Sequence, residues 1–129
     1  MAFLLENEQE PQVERLDQAK TALIRATGEM SATLQPFTEQ QQFDFVAFGY
    51  YGLGEANRAL AYLHAQQQHK AEAHDLYLQA HDNYGKCYAL EDTPNPDGNT
   101  ELQKMIGCYC RAWDDNVIED LTKLGGGNG

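Results

Sequence analysis

Positive charge and β-branched side chains are what this sequence has least of. Its 129 residues hold nine Lys plus Arg against 20 Asp plus Glu, a formal charge of −11. The bases are Arg15, Lys20, Arg25, Arg58, Lys70, Lys86, Lys104, Arg111 and Lys123, scattered without a patch. Phosphate backbones are bound by Lys and Arg that displace counterions, and anionic bilayers attract basic segments. Neither nucleic acid nor a membrane surface is therefore an expected partner. There are three Val and three Ile against 15 Ala and 14 Leu. Unbranched side chains lose little rotamer freedom in a helix and β-branched ones lose more, so the ratio argues against an all-β sandwich and predicts an all-α fold. Long apolar runs are missing too: none approaches the ~20 residues of a membrane span. The short stretch Ala2-Phe-Leu-Leu5 lacks the positive flank of a signal peptide. Three cysteines (Cys87, Cys108 and Cys110) make an odd count, two of them too close for metal-finger spacing. They read as reduced, buried thiols of a cytoplasmic protein.

Proline is scarce as well, and its four positions help to divide the chain. Apolar three-and-four spacing follows Pro11 through Val13, Leu16, Leu23, Ile24, Thr27, Met30 and Leu34, with Pro11 in a first helical turn and Pro36 as the stop. A second helix is predicted to open at Thr38, with Gln41 completing a capping box, and to reach the glutamines at 66–68. Phe45, Phe48 and Tyr51 lie outside its main stripe, so this helix is central, or leaves a face free for a partner or a homodimer. Gly49, Gly52 and Gly54 each cost about 1 kcal/mol against Ala, which favours a close helix crossing there. The third helix spans His69 to Leu90, and residues 91–98 form a turn-rich loop. Thr100 with Gln103 repeats the capping pattern and opens a fourth helix that ends by Leu124. Residues 1–124 thus read as one helical domain, a four-helix bundle or two stacked antiparallel hairpins, and 125–129 as a flexible Gly-rich tail.

Within 57–81, Leu60 and Ala61 on one helix and Ala73, Tyr77 and Ala80 on the next stand where a tetratricopeptide hairpin carries its packing residues. The segment resembles one such hairpin. It departs at Asn57, where the family has an aromatic residue, and at His69, which replaces the turn glycine. The resemblance implies a peptide- or protein-binding scaffold.

The third helix carries His74, Tyr77, His81, Tyr84 and Tyr88 on one stripe, as spacings of three and four require. Amphipathic rings in a row suit a groove for a partner segment. The competing assignment puts Tyr77 and Tyr84 in the core with the histidines flanking the seam. Asp114, Asp115, Glu119 and Asp120 on the last helix form an expected acidic face for a basic partner, or a solvated surface. No catalytic set is legible, and no cofactor or metal is expected. His74 and His81 are two turns apart, too far for one ion, while His64, His69 and Glu72 would need tertiary closeness. The expected function is a non-enzymatic adaptor, chaperone or assembly factor that docks a partner protein, basic or an amphipathic helix. The alternative is an acidic inhibitor or immunity-type protein that blocks a basic partner or mimics nucleic acid.

Overall fold

Residues 2–126 are described by a computed structural model, with side chains described over 14–125. Four helices follow in order: α1 (Ala2–Glu39), α2 (Phe43–Gln66), α3 (Lys70–Tyr88) and α4 (Thr100–Gly126). They pack as an all-α four-helix bundle, with no strand among the described residues. Consecutive helices run antiparallel. Met30 and Leu34 of α1 meet Gly52 and Gly49 of α2. Asn83 of α3 bonds Asn57 of α2, and Cys87 and His81 of α3 meet Ile106 and Asp114 of α4. α2 and α4 lie parallel, joined by Asp44 with Asn99 at one end and Arg58 with Asp120 farther along. Among the described residues, α2 is the one helix that α1 packs on.

Small residues set the spacing of the core. Ala47, Ala61, Ala73 and Ala80 are fully buried, so the helix backbones come close and Tyr77 and Tyr84 fill the space between them. Ala61, Ala73, Tyr77 and Ala80 of the expected hairpin lie in the cluster shared by α2, α3 and α4, and Leu60 is buried outside it. A second, smaller cluster of Leu34, Val46 and Leu53 seats α1. The three glycines of α2 serve the expected close crossing, in an unbroken helix. A Cβ on Gly49 would strike the Leu34 side chain, one on Gly52 would lie 2.7 Å from the Met30 sulfur, and one on Gly54 would lie 2.7 Å from the Tyr84 ring.

Several boundaries differ from the sequence reading. α1 starts ahead of Pro11 and passes through Pro36 to Glu39. Proline removes only its own N–H, and the Gln40 amide still donates to the Pro36 carbonyl at 3.1 Å. Phe37 repays the lost bond by packing beside Leu34 and stacking on Phe45, with centroids 5.3 Å apart. Thr38 caps nothing: its hydroxyl donates back to the Leu34 carbonyl at 2.9 Å. The chain turns instead at Gln41, with φ 58°. Asp44 accepts the Phe45 amide at 2.9 Å and the Asn99 amide at 3.0 Å, so one carboxylate serves the start of two helices.

Asn99, one residue before Thr100, is the cap of α4, its side-chain oxygen accepting the Leu102 amide at 3.0 Å. Gln103 is buried and staples the preceding loop. Its amide donates to the carbonyls of Leu90 at 2.7 Å and Thr93 at 2.9 Å, and its oxygen accepts from Asn95 at 3.1 Å. At the other end α4 continues past Leu124 to Gly126, while 127–129 of the expected tail, like the side chain of Val13, lie outside the described residues.

The cysteines are also corrected. Cys87 and Cys110 form a disulfide across the α3–α4 seam, Cα to Cα 6.2 Å, and Cys108 is an exposed thiol. Sequence spacing hides this pairing, because the partners sit 23 residues apart and meet only when two helices pack.

Candidate functional site

The residues of the expected α3 stripe part company in three dimensions. Tyr77 and Tyr84 are core residues, 5% and 0% exposed, so neither stands out from the surface as a docking ring. The Tyr84 hydroxyl donates to Glu55 at 2.5 Å. Burial first, then the hydrogen bond and charge of Glu55, push its pKa far above the ordinary tyrosine value, so it stays a neutral donor. His74 stands exposed, 3.5 Å from Asp75. His81 is at the surface with Nδ1 2.6 Å from Asp114, which also accepts the Tyr88 hydroxyl at 3.4 Å. Arg111 covers the Tyr88 ring at 5.4 Å and pairs with Glu91. Only the histidines and the edge of Tyr88 reach solvent.

The expected acidic face is likewise dispersed. Asp114 is 3% exposed and held inside the His81–Tyr88 network. Asp120 pairs with Arg58 at 3.0 Å, and Glu119 with Lys123 at 3.2 Å. Asp115 alone of the four is exposed without a described bond to a basic side chain.

The outer face of α2 behaves differently. Phe45 and Phe48 are 56% and 59% exposed, and Tyr51 is half-buried. Phe45 is partly engaged by Phe37, whereas Phe48 leans on Tyr51, with centroids 6.2 Å apart. From Phe48 the stripe continues through Tyr51, Glu55, Arg58 and Tyr62 at spacings of three, four, three and four, so these residues share one face. Tyr62 is 56% exposed. Burial, then the charge of Glu55, raise the pKa of Tyr51, whose hydroxyl is bonded by Trp113. Arg58 lies over the Trp113 ring at 5.2 Å.

Beside this stripe, Glu55, Arg58, Tyr62, Tyr77 and Asp120 border an open cavity of about 460 Å³. Chemically it is a shallow groove with aromatic walls, one neutralised guanidinium and the Glu55 carboxylate. The sequence reading stopped at Tyr51. The continuing period in Glu55, Arg58 and Tyr62 was the available signal, obscured because Glu and Arg score as solvent residues.

No helix among the described residues is long and apolar enough to cross a membrane, and no group of three or more His, Cys, Asp or Glu is placed to hold a metal ion. Comparison with protein families, curated proteins and solved structures finds no match.

Proposed function

We propose that this chain is a small acidic, non-enzymatic protein-binding domain, an adaptor, chaperone or assembly factor. Its outer α2 face takes an amphipathic helix with basic flanks from a partner protein. The observation that carries the reading is the exposure of Phe48 and Tyr62 on one three-and-four spaced stripe. Large rings left in water at helical spacing suit the apolar seam of a second helix. Charge selects the kind of helix. Arg58, the one base on the stripe, is already neutralised by Asp120, and Glu55 stands beside the groove of a chain carrying −11. Like charge disfavours a second copy of this chain as the occupant.

The proposal extends to location in one respect. A reducing cytoplasm would keep Cys87 and Cys110 apart and an oxidising compartment would keep them joined, and the docking face contains neither.

Titrating the protein with a basic amphipathic helical peptide, and with an acidic one of equal hydrophobicity, tests the reading by nuclear magnetic resonance. The basic peptide is expected to shift Phe48, Tyr51 and Tyr62, and Phe48→Ser with Tyr62→Ser to weaken it at least tenfold while the helical spectrum persists. Equal binding of both peptides, shifts elsewhere, or self-association through this face overturns it. The inhibitor alternative rests on the net charge and predicts steep loss of binding with salt, with no dependence on Phe48.

A further inference from the structure

The turn between α2 and α3 brings together two histidines that are five residues apart. His64 lies in the last turn of α2, and His69 is the residue that precedes α3. The His69 amide donates to the His64 carbonyl at 2.9 Å, the Gln67 amide to the same carbonyl at 3.1 Å, and Gln68 reverses the chain with φ 66°. The rings therefore face each other, with centroids 5.4 Å and Nδ1 atoms 3.2 Å apart. Two imidazole nitrogens on one tetrahedral Zn²⁺, each bonded at about 2.0–2.1 Å, must themselves stand about 3.3 Å apart.

We propose that His64 and His69 form a two-histidine site for a divalent transition cation, with Zn²⁺ as the reference ion and water in the remaining positions. The backbone bonds of the turn hold both ligands near each other before the ion arrives, so little ordering remains to oppose binding. In the neutral form of the pair the contact takes one Nδ1–H and one Nδ1 lone pair, whichever ring carries the proton. Moving that proton to Nε2 of the same ring exposes the second lone pair, and no proton leaves the protein. His69 is exposed and His64 half-buried, which leaves the ion a path from solvent and its rings freedom to converge on it. The charges of Lys20 and, more weakly, of Glu72 in the first turn of α3 both act on His64. Lys20, the nearby cation, is engaged by Gln67 at 2.5 Å and by Asp17 at 3.4 Å. With two protein ligands the site is open, unlike the closed four-ligand sites that hold folds together.

Calorimetric titration of the full, untagged chain with Zn²⁺ at neutral pH tests this. One ion per chain is expected, with His64→Gln and His69→Gln each weakening binding at least tenfold and His74→Gln leaving it unchanged. Cu²⁺ loaded in place of Zn²⁺ should show two coordinated nitrogens by electron paramagnetic resonance, and one in either variant. Wild-type affinity in His64→Gln, or binding that disappears only with Cys108→Ser, overturns the assignment. Because both substituted positions reach solvent, circular dichroism is expected to report unchanged helix.

Discussion

Helices α2, α3 and α4 share a core in which four alanines and two tyrosines are sealed and a disulfide crosses one seam, whereas α1, among the described residues, rests on α2 alone. In α1, Leu34 is the one buried residue among the described side chains, with Met30 and Phe37 half-covered beside it. Two kinds of attachment result. The three-helix part is closed from several directions, so opening it exposes everything at once. α1 is a long helix held along one edge, which can part from α2 at much lower free energy than global unfolding requires. The proposed docking face lies on the same α2 helix, bordered by α4 through Arg58 with Asp120 and away from the glycines that meet α1. A long central helix here carries a core face, the α1 contact and a stripe with exposed rings.

The comparison breaks first if the core is not one unit. Tyr84→Ala removes a fully buried ring that also fills the space over Gly54, and should cost about 3–5 kcal/mol, unfolding α2, α3 and α4 together in urea. Next in size is the disulfide. Closing a loop of 23 residues stabilises by about 3 kcal/mol in the chain-entropy account. Cys87→Ala with Cys110→Ala should lower the urea midpoint accordingly, and reductant should bring the wild type to the same value.

Gly49→Val sharpens the contrast, because its Cβ meets Leu34 at the α1 crossing and overpacking of this kind costs about 1–3 kcal/mol. Hydrogen exchange should then speed up over 14–39 while α3 stays protected. Equal loss in α3 would show that α1 and the core open as one. The smallest effect concerns Asp44. Burial alone would raise its pKa, but hydrogen bonds from the Asn99 and Phe45 amides and the Asn95 side chain outweigh it and hold the carboxyl below its usual 3.8. A depressed folded value means the contribution is complete above 3.8 and lost as pH falls through the folded value. Urea midpoints followed into acid should therefore decline less steeply in Asp44→Asn than in the wild type.

Much of this architecture is legible in the residue order. Ala- and Leu-rich stretches at three-and-four spacing mark all four helices, the loop at 91–98 announces itself by Pro94, Pro96 and Gly98, and the glycines of α2 indicate a crossing. The errors cluster where a local rule competes with a remote partner. Pro36 reads as a stop, but Phe37 has a ring to stack on. Thr38 and Thr100 have the right spacing for caps, yet α2 opens after Gln42 with Asp44 in its first turn, Asn99 caps α4, and Gln103 turns to a loop that local sequence cannot place beside it. The Tyr and His residues of α3 follow one helical period, yet the structure buries the two inner tyrosines and exposes the histidines. Periodicity says which side chains share a face and is silent on what covers it, so Tyr77 and Tyr84 could not be distinguished from a docking surface.

Helix content, the scale of the acidity and the order of the segments were settled by composition and spacing, because helix propensity and charge are local or additive properties. Packing alone decided that Cys87 meets Cys110 and that Asp114 lies inside while Phe48 stays outside. Each of these depends on the distance between segments that the chain order keeps apart, and only the mutual burial of four helices sets that distance.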